Sequence, residues 1–205
     1  KKLFHRFVPS HLLNKYVKGG KTEEEKIITV LFQDIYNYTT ISETISNEEL
    51  YSLLQQIDAI TDRVVSKYQG EIMSYIGDAY MIVGGVPTPR PDHCEAVAAF
   101  AVEMLAAVRR RPAWNGQPVR LRIGINTGPV VAGVIGREKF IYDLWGDVVN
   151  TASRMEAHGQ AGVIQVTEAV RDCLADCFEF EAQPPAYIKG KGQMVTYFLK
   201  VPTPA

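Results

Sequence analysis

An α+β sandwich with a mixed sheet, of the split βαβ or ferredoxin-like kind, is the fold class this sequence predicts. Two observations carry the expectation. Runs of β-branched residues and stretches with helical apolar spacing follow one another in the order strand, helix, strand hairpin, helix, strand. At 205 residues and 46% hydrophobic, the chain is long enough for one well-buried domain with a short appendage. The expected sheet carries its helices on one face. No internal repeat or low-complexity tract points to another architecture.

The elements follow from the N-terminus. Leu3, Phe4, Phe7, Val8, Leu12, Leu13, Tyr16 and Val17 recur at roughly helical spacing, broken at Pro9 and closed by Gly19 and Gly20. A polar linker follows, so residues 1–25 are set apart as a helical appendage and residues 26–205 as the main domain. The appendage cannot bury its apolar face alone, which predicts a partner copy or upstream sequence to cover it. "IITVLFQDI" predicts a buried strand, and "NEELYSLLQQIDAITDRVVSKYQG" a helix from Leu50 through Val65, stopped by Gly70. Two short strands flank Gly77-Asp78. The helix "PDHCEAVAAFAVEMLAAVRRR" has Asp92 as its expected N-cap, and its terminal arginines suit the negative end of the macrodipole. "VRLRIGINTG" and "PVVAGVIG" predict a second hairpin, "GDVVNTASRMEAHG" a short helix closed by Gly159. Three strands are expected near 163–166, 178–181 and 195–199.

A formal charge of −1 argues against nucleic acid as a partner, since that binding wants a basic surface. Stacking aromatics of an RNA-binding sheet are not evident either. Three cysteines, Cys94, Cys173 and Cys177, are too few for a disulfide framework and are expected to be ordinary thiols in a reducing compartment. "AVAAFAVEMLAAV" carries Glu103 and is expected to be a core helix, not a membrane span. Without an initiator Met or signal peptide the sequence resembles a piece of a longer chain. A cytoplasmic domain is expected, with membrane anchoring of the full-length protein left open.

The chemistry-bearing residues gather at strand ends. Asp34 ends the first strand and Asp78 occupies the next hairpin, so both carboxylates are expected at one end of the sheet. Two such charges need a cation or a shared proton. Hard divalent ions take carboxylate oxygens together with substrate phosphates. Either Asp alone would equally be a turn former. After Asp34, "IYNYTTIS" turns from strand into helix, where backbone N–H groups of Tyr36, Asn37, Tyr38 and Thr39 are candidates to cradle phosphate. Asn150 and Arg154 stand four apart, on one face of a helix. Arg154 suits developing phosphoryl charge and Asn150 a sugar. Lys189 and Lys191 lie on a glycine-flexed approach to a strand and suit a triphosphate tail.

Together these residues resemble the catalytic domain of the class III nucleotidyl cyclases. "FQDIYNYT" is similar to that family's first metal motif, "EIMSYIGDAYM" to its second, and "YDLWGDVVNTASRME" to its transition-state motif. "VRLRIGINTGPVVAGVIG" and "IKGKGQMVTYF" also fit, and the likeness runs from about Thr29 to Leu199. The resemblance implies that Asp34 and Asp78 bind two divalent ions, Mg²⁺ or Mn²⁺, with the Ile35 carbonyl as a further ligand. It implies that Asn150 positions the ribose, Arg154 stabilises the α-phosphoryl transition state, and Lys189, with Lys191 beside it, reaches the terminal phosphates. One ion would activate the ribose 3′-OH and the other steady the triphosphate, with pyrophosphate expelled. The family's site lies between two catalytic domains, so a head-to-tail homodimer is implied. Residues 1–25 resemble the helical transducer that passes on a signal from an upstream sensor or membrane module.

Base choice in this family rests on positions held here by Ser74 and Asp143. Asp143 is an acceptor, suited to the adenine amino group and opposed to guanine O6. Ser74, where adenylyl cyclases often carry Lys, serves either purine. ATP is therefore the expected substrate, with GTP and cyclic GMP the alternative, and a nucleotide-binding regulatory domain without turnover the third reading. Two further departures are Glu138, where the family often has a phosphate-binding basic residue between positions held here by Arg137 and Lys139, and Asn37-Tyr38 in place of Gly-Phe.

Overall fold

A computed structural model describes Lys18 and residues 23–111, 118–135 and 141–201. Apart from Lys18, the appendage expected before residue 23 lies outside the described residues, as do Arg137, Glu138 and Lys139. In chain order the elements begin with β1 (Glu24–Ile35), α1 (Tyr38–Thr44), α2 (Asn47–Tyr68), β2 (Glu71–Ile76), β3 (Ala79–Gly84) and α3 (His93–Arg109). They continue with β4 (Leu121–Ile135), β5 (Ile141–Trp145), α4 (Asp147–Ala157), β6 (Ile164–Val166) and α5 (Glu168–Leu174). Four short strands close the chain: β7 (Phe180–Ala182), β8 (Ala186–Ile188), β9 (Gly192–Met194) and β10 (Tyr197–Leu199).

β1 is the central strand, antiparallel to β3 on one side and β4 on the other. The sheet runs β2–β3–β1–β4–β6–β10–β7, with β5 paired to the far part of β4, and β8 and β9 form a separate ribbon. Alternation along β1 sends its side chains to two cores. Leu31 and Ile35 join Leu53 and Ile57 of α2 and Val97, Phe100 and Met104 of α3. Ile28, Val30 and Phe32 join Val148 and Ala152 of α4.

The expectation of helices on one face is therefore corrected. Helix α4 has its own buried stripe at Val148, Thr151, Ala152 and Met155, and lies on the face that α2 and α3 leave free. A second correction concerns the predicted hairpin over 119–136, in which Leu121–Ile135 form the single strand β4 of 15 residues. Gly128 and Pro129 carry turn chemistry, yet both stay paired to β1. On the other edge of β4, Pro129 falls between β6, paired up to Ile125, and β5, paired from Val131, where a missing N–H breaks no ladder. The hairpin partner of "VVAGVI" is "IYDLW".

Helix α2 begins with a capping box, Ser46 accepting from the Glu49 N–H while the Glu49 carboxylate accepts from the Ser46 N–H. It closes on Gln69 in the left-handed conformation, one residue before the predicted stop. Asp92 stands at the N-cap position of α3 but makes no cap hydrogen bond, because its carboxylate is taken by Arg90 at 2.6 and 2.7 Å. The apolar helix α3 is core, and no helix among the described residues is long and apolar enough to cross a membrane.

Candidate active site

The β1–β3 register places Gln33 opposite Tyr80, so the β2–β3 turn carries Asp78 to the end of β1 beside Asp34. The two carboxylates lie within hydrogen-bonding reach of one another. Burial and the Asp34 charge push the Asp78 carboxyl up to about 7, against the backbone N–H groups of Asp78 and Ile35, which favour its ionised form. Asp34 Oδ1 and Asp78 Oδ2 are both buried without a hydrogen-bond partner among the described residues. Buried carboxylate oxygens without donors are costly, and a divalent cation with oxygen preference satisfies both at once. The residues present therefore fit such an ion.

Chain direction reverses just past this point. Tyr36 and Asn37 follow β1, Asn37 adopts φ 59° and ψ 30° at the N-cap position of α1, and Tyr38 and Thr39 open that helix. Asn enters the left-handed region more readily than other side chains, so the turn survives the departure from Gly. The Tyr36 ring is flanked by Arg120 and Arg122, with guanidinium carbons 5.8 and 6.0 Å from its centroid.

A second group gathers along α4. Asn150 is exposed and Arg154 half-buried on the same helix face. The tip of the β8–β9 ribbon leans on that face: a Cβ at Gly190, where φ is 76°, would stand 3.1 Å from Arg154 Nη1. This puts Lys189 and Lys191 beside Arg154, with Lys191 donating to the Asp147 carboxylate. Arg154 Nη1 is buried without a hydrogen-bond partner among the described residues.

The two groups approach one helix from different sides. Glu156 turns toward β4, where its carboxylate meets Arg122, the partner of Asp34 on β1. At about 100° per residue, positions 154 and 156 are about 200° apart around the helix. Arg154 thus faces away from the carboxylates of its own chain. Ser74 and Asp143 stand on β2 and β5, with β3, β1 and β4 between those strands in the sheet order. Asp143 Oδ1 accepts from the Leu144 N–H at 2.8 Å, and Ser74 follows an irregularity in the β2–β3 register.

The sequence matches a family model, "Adenylate and Guanylate cyclase catalytic domain", over residues 21–201. The chain belongs to this cyclase family. An adenylate cyclase of Mycobacterium tuberculosis is 42% identical over 171 residues, covering 83% of this chain and 39% of the relative. The soluble guanylate cyclase subunit beta-2 of Rattus norvegicus is 37% identical over 201 residues, covering 96% of this chain and 30% of that protein. The cyclase domain thus spans well under half the length of these curated relatives. Among solved structures, the guanylate cyclase domain of RhGC from Catenaria anguillulae, in complex with GTP, superposes with a TM-score of 0.81 at 33% identity, over 88% of this chain and 100% of that one.

Within the cyclase domain, sequence reading missed Arg122, Glu156 and Arg120. Arg122 lies in a strand and Glu156 near a helix end, and each alone looks like a solvated charge. The signal that would have found them is the register, which sets Asp34 opposite Arg122, together with Gly124 on the same face two residues on. A Cβ there would fall 1.9 Å from the Glu156 backbone nitrogen, so Gly124 lets α4 lie directly on the strand.

Proposed function

We propose that this cyclase domain converts ATP to 3′,5′-cyclic AMP and pyrophosphate, at two sites shared between the chains of a head-to-tail homodimer. The observation that carries this reading is the pair of converging carboxylates, Asp34 and Asp78, each with a buried oxygen lacking a donor. These two residues, with the Ile35 carbonyl, would hold the divalent ions, Mg²⁺ or Mn²⁺. Bound there, such ions neutralise triphosphate charge and lower the pKa of the attacking hydroxyl.

The protein's own residues do the rest. The turn from Asn37 to Thr39 holds the triphosphate by its backbone N–H groups; the Tyr36 N–H, expected to join them, is instead given to the Arg120 carbonyl at 2.9 Å. Lys189, with Lys191 beside it, binds the terminal phosphates, and Asn150 orients the ribose. Its 3′-OH then attacks the α-phosphorus in line and gives up its proton to water, the P–O bond to the β-phosphate breaks, and pyrophosphate leaves. The unpaired Nη1 of Arg154 donates to the charge that develops on the α-phosphoryl oxygens. Because Arg154 faces away from Asp34 and Asp78 of its own chain, a partner chain is needed to bring the two halves together. The appendage before residue 26 would relay a signal from an upstream module to this cytoplasmic domain.

ATP is favoured because Asp143, with one oxygen held by the Leu144 N–H, offers the other as an acceptor for the adenine amino group. GTP is the second reading, since Ser74 serves either purine and relatives of both kinds exist. The test is incubation with equal ATP and GTP plus Mg²⁺ or Mn²⁺, with both cyclic nucleotides quantified by mass. Predominant cyclic AMP is expected. Predominant cyclic GMP would reverse the purine assignment, and no product from a demonstrated dimer would leave a regulatory nucleotide-binding domain.

A further inference from the structure

Asp34 does not meet the cation site alone. Arg122 Nη2 donates to Asp34 Oδ2 at 2.8 Å, and Arg122 Nε lies 2.8 Å from Glu156 Oε1. All three side chains are largely covered, at 18%, 26% and 11% exposure for Asp34, Arg122 and Glu156. Nε and Nη2 form one edge of the guanidinium, the edge that commonly grips a single carboxylate with two parallel bonds. Here Nη2 bonds Asp34, while Nε, 2.8 Å from Glu156 Oε1, meets that carboxylate as an ion pair without an aligned hydrogen bond. Asp34 yields only Oδ2 to it, and Oδ1 stays without a partner among the described residues.

We propose that Glu156 is a positioning residue for the cation site: by occupying the Nε side of Arg122 it confines the guanidinium to one oxygen of Asp34 and reserves the other, together with Asp78, for a divalent ion. This rests on Asp34 and Asp78 being the metal ligands. Charge acts in the same direction. With all groups ionised, three carboxylates and one guanidinium leave a net charge of about −2, matched to a dication. Replacing Glu156 by Gln removes one of those charges and frees the Arg122 edge to fork onto both oxygens of Asp34, in direct competition with the ion. Removing Arg122 as well takes away the competitor. A merely structural role predicts the reverse pattern, in which the second substitution deepens the loss.

The experiment is Mn²⁺ binding to the full chain at pH 8, read from the electron paramagnetic resonance signal of free Mn²⁺, with thermal melts alongside. Glu156→Gln is expected to weaken Mn²⁺ binding about tenfold. Arg122→Gln alone is expected not to weaken it. The Glu156→Gln/Arg122→Gln chain is expected to return to within about threefold of the unmodified protein. Glu156→Asp, which keeps the charge but shortens the reach, gives a smaller loss and carries the test should the Gln variant fail to fold. Unchanged affinity in Glu156→Gln, or in Glu156→Asp where that variant stands in, overturns the proposal, as does a double variant as weak as Glu156→Gln. Binding that survives Asp34→Ala/Asp78→Ala would instead overturn the assignment of the ligands.

Discussion

At Asp78, the folded chain holds a carboxyl near pKa 7, where the unfolded chain would have about 3.8. The protonated form is the one the fold favours, so the associated stability is present below about pH 4 and is lost as pH rises toward about 7. Asp78→Asn removes the ionisation. In chelator, it is expected to raise the melting temperature by at least about 2 °C at pH 8 and by less at pH 5, measured by thermal melts at both values. An equal shift at the two pH values would mean that Asp78 ionises freely. The same residue shows what a sequence discloses at this scale. Asp34, Asp78, Asn150 and Arg154 could be proposed from the sequence because each sits in a local motif whose residues are chain neighbours. The Arg122–Glu156 pair was not, because it exists only through strand register and the docking of α4, and neither is written in any short stretch.

In the proposed mechanism both halves of the chemistry depend on helix α4, which lies against β4 through the absence of a side chain at Gly124. A Cβ there would meet backbone at 1.9 Å, a contact no rotamer can relieve. Gly124→Ala is expected to cost about 3 kcal/mol or more in a urea titration and to abolish most turnover, because α4 must lift and take Arg154 and Glu156 with it. A loss below about 1 kcal/mol would mean that α4 shifts freely on the strand. The order from β1 to α3 was readable from apolar periodicity, as were the extents of α2 and α3, whereas β5, α5 and the β8–β9 ribbon were not. The continuity of β4 was not: Gly128-Pro129 carries turn chemistry, and only the gap between β5 and β6 lets a strand run through it. The face taken by α4 was equally hidden, since an apolar stripe says that a helix is covered without saying by which side of a sheet.

For the whole molecule, the proposed homodimer makes the opposed faces of α4 the feature by which two chains would share the work. An Asp34→Ala/Asp78→Ala chain and an Arg154→Ala chain are each expected to be inactive alone. Mixed in equal amounts and allowed to exchange, they should recover about a quarter of normal activity, since half the dimers are mixed and each carries one of two intact sites. Cyclic nucleotide production against the mixing ratio is the measurement, and no recovery would count against shared sites. The close seat of α4 on Gly124 then has a consequence for inheritance. In the proposed homodimer, a chain defective only at Arg154 spoils one site of a dimer made with a normal chain, so an organism with one altered gene copy would keep about half its output. A chain altered at Gly124 displaces both faces of its helix and spoils both sites of every mixed dimer. Output then falls to about a quarter, and the allele behaves as a dominant one.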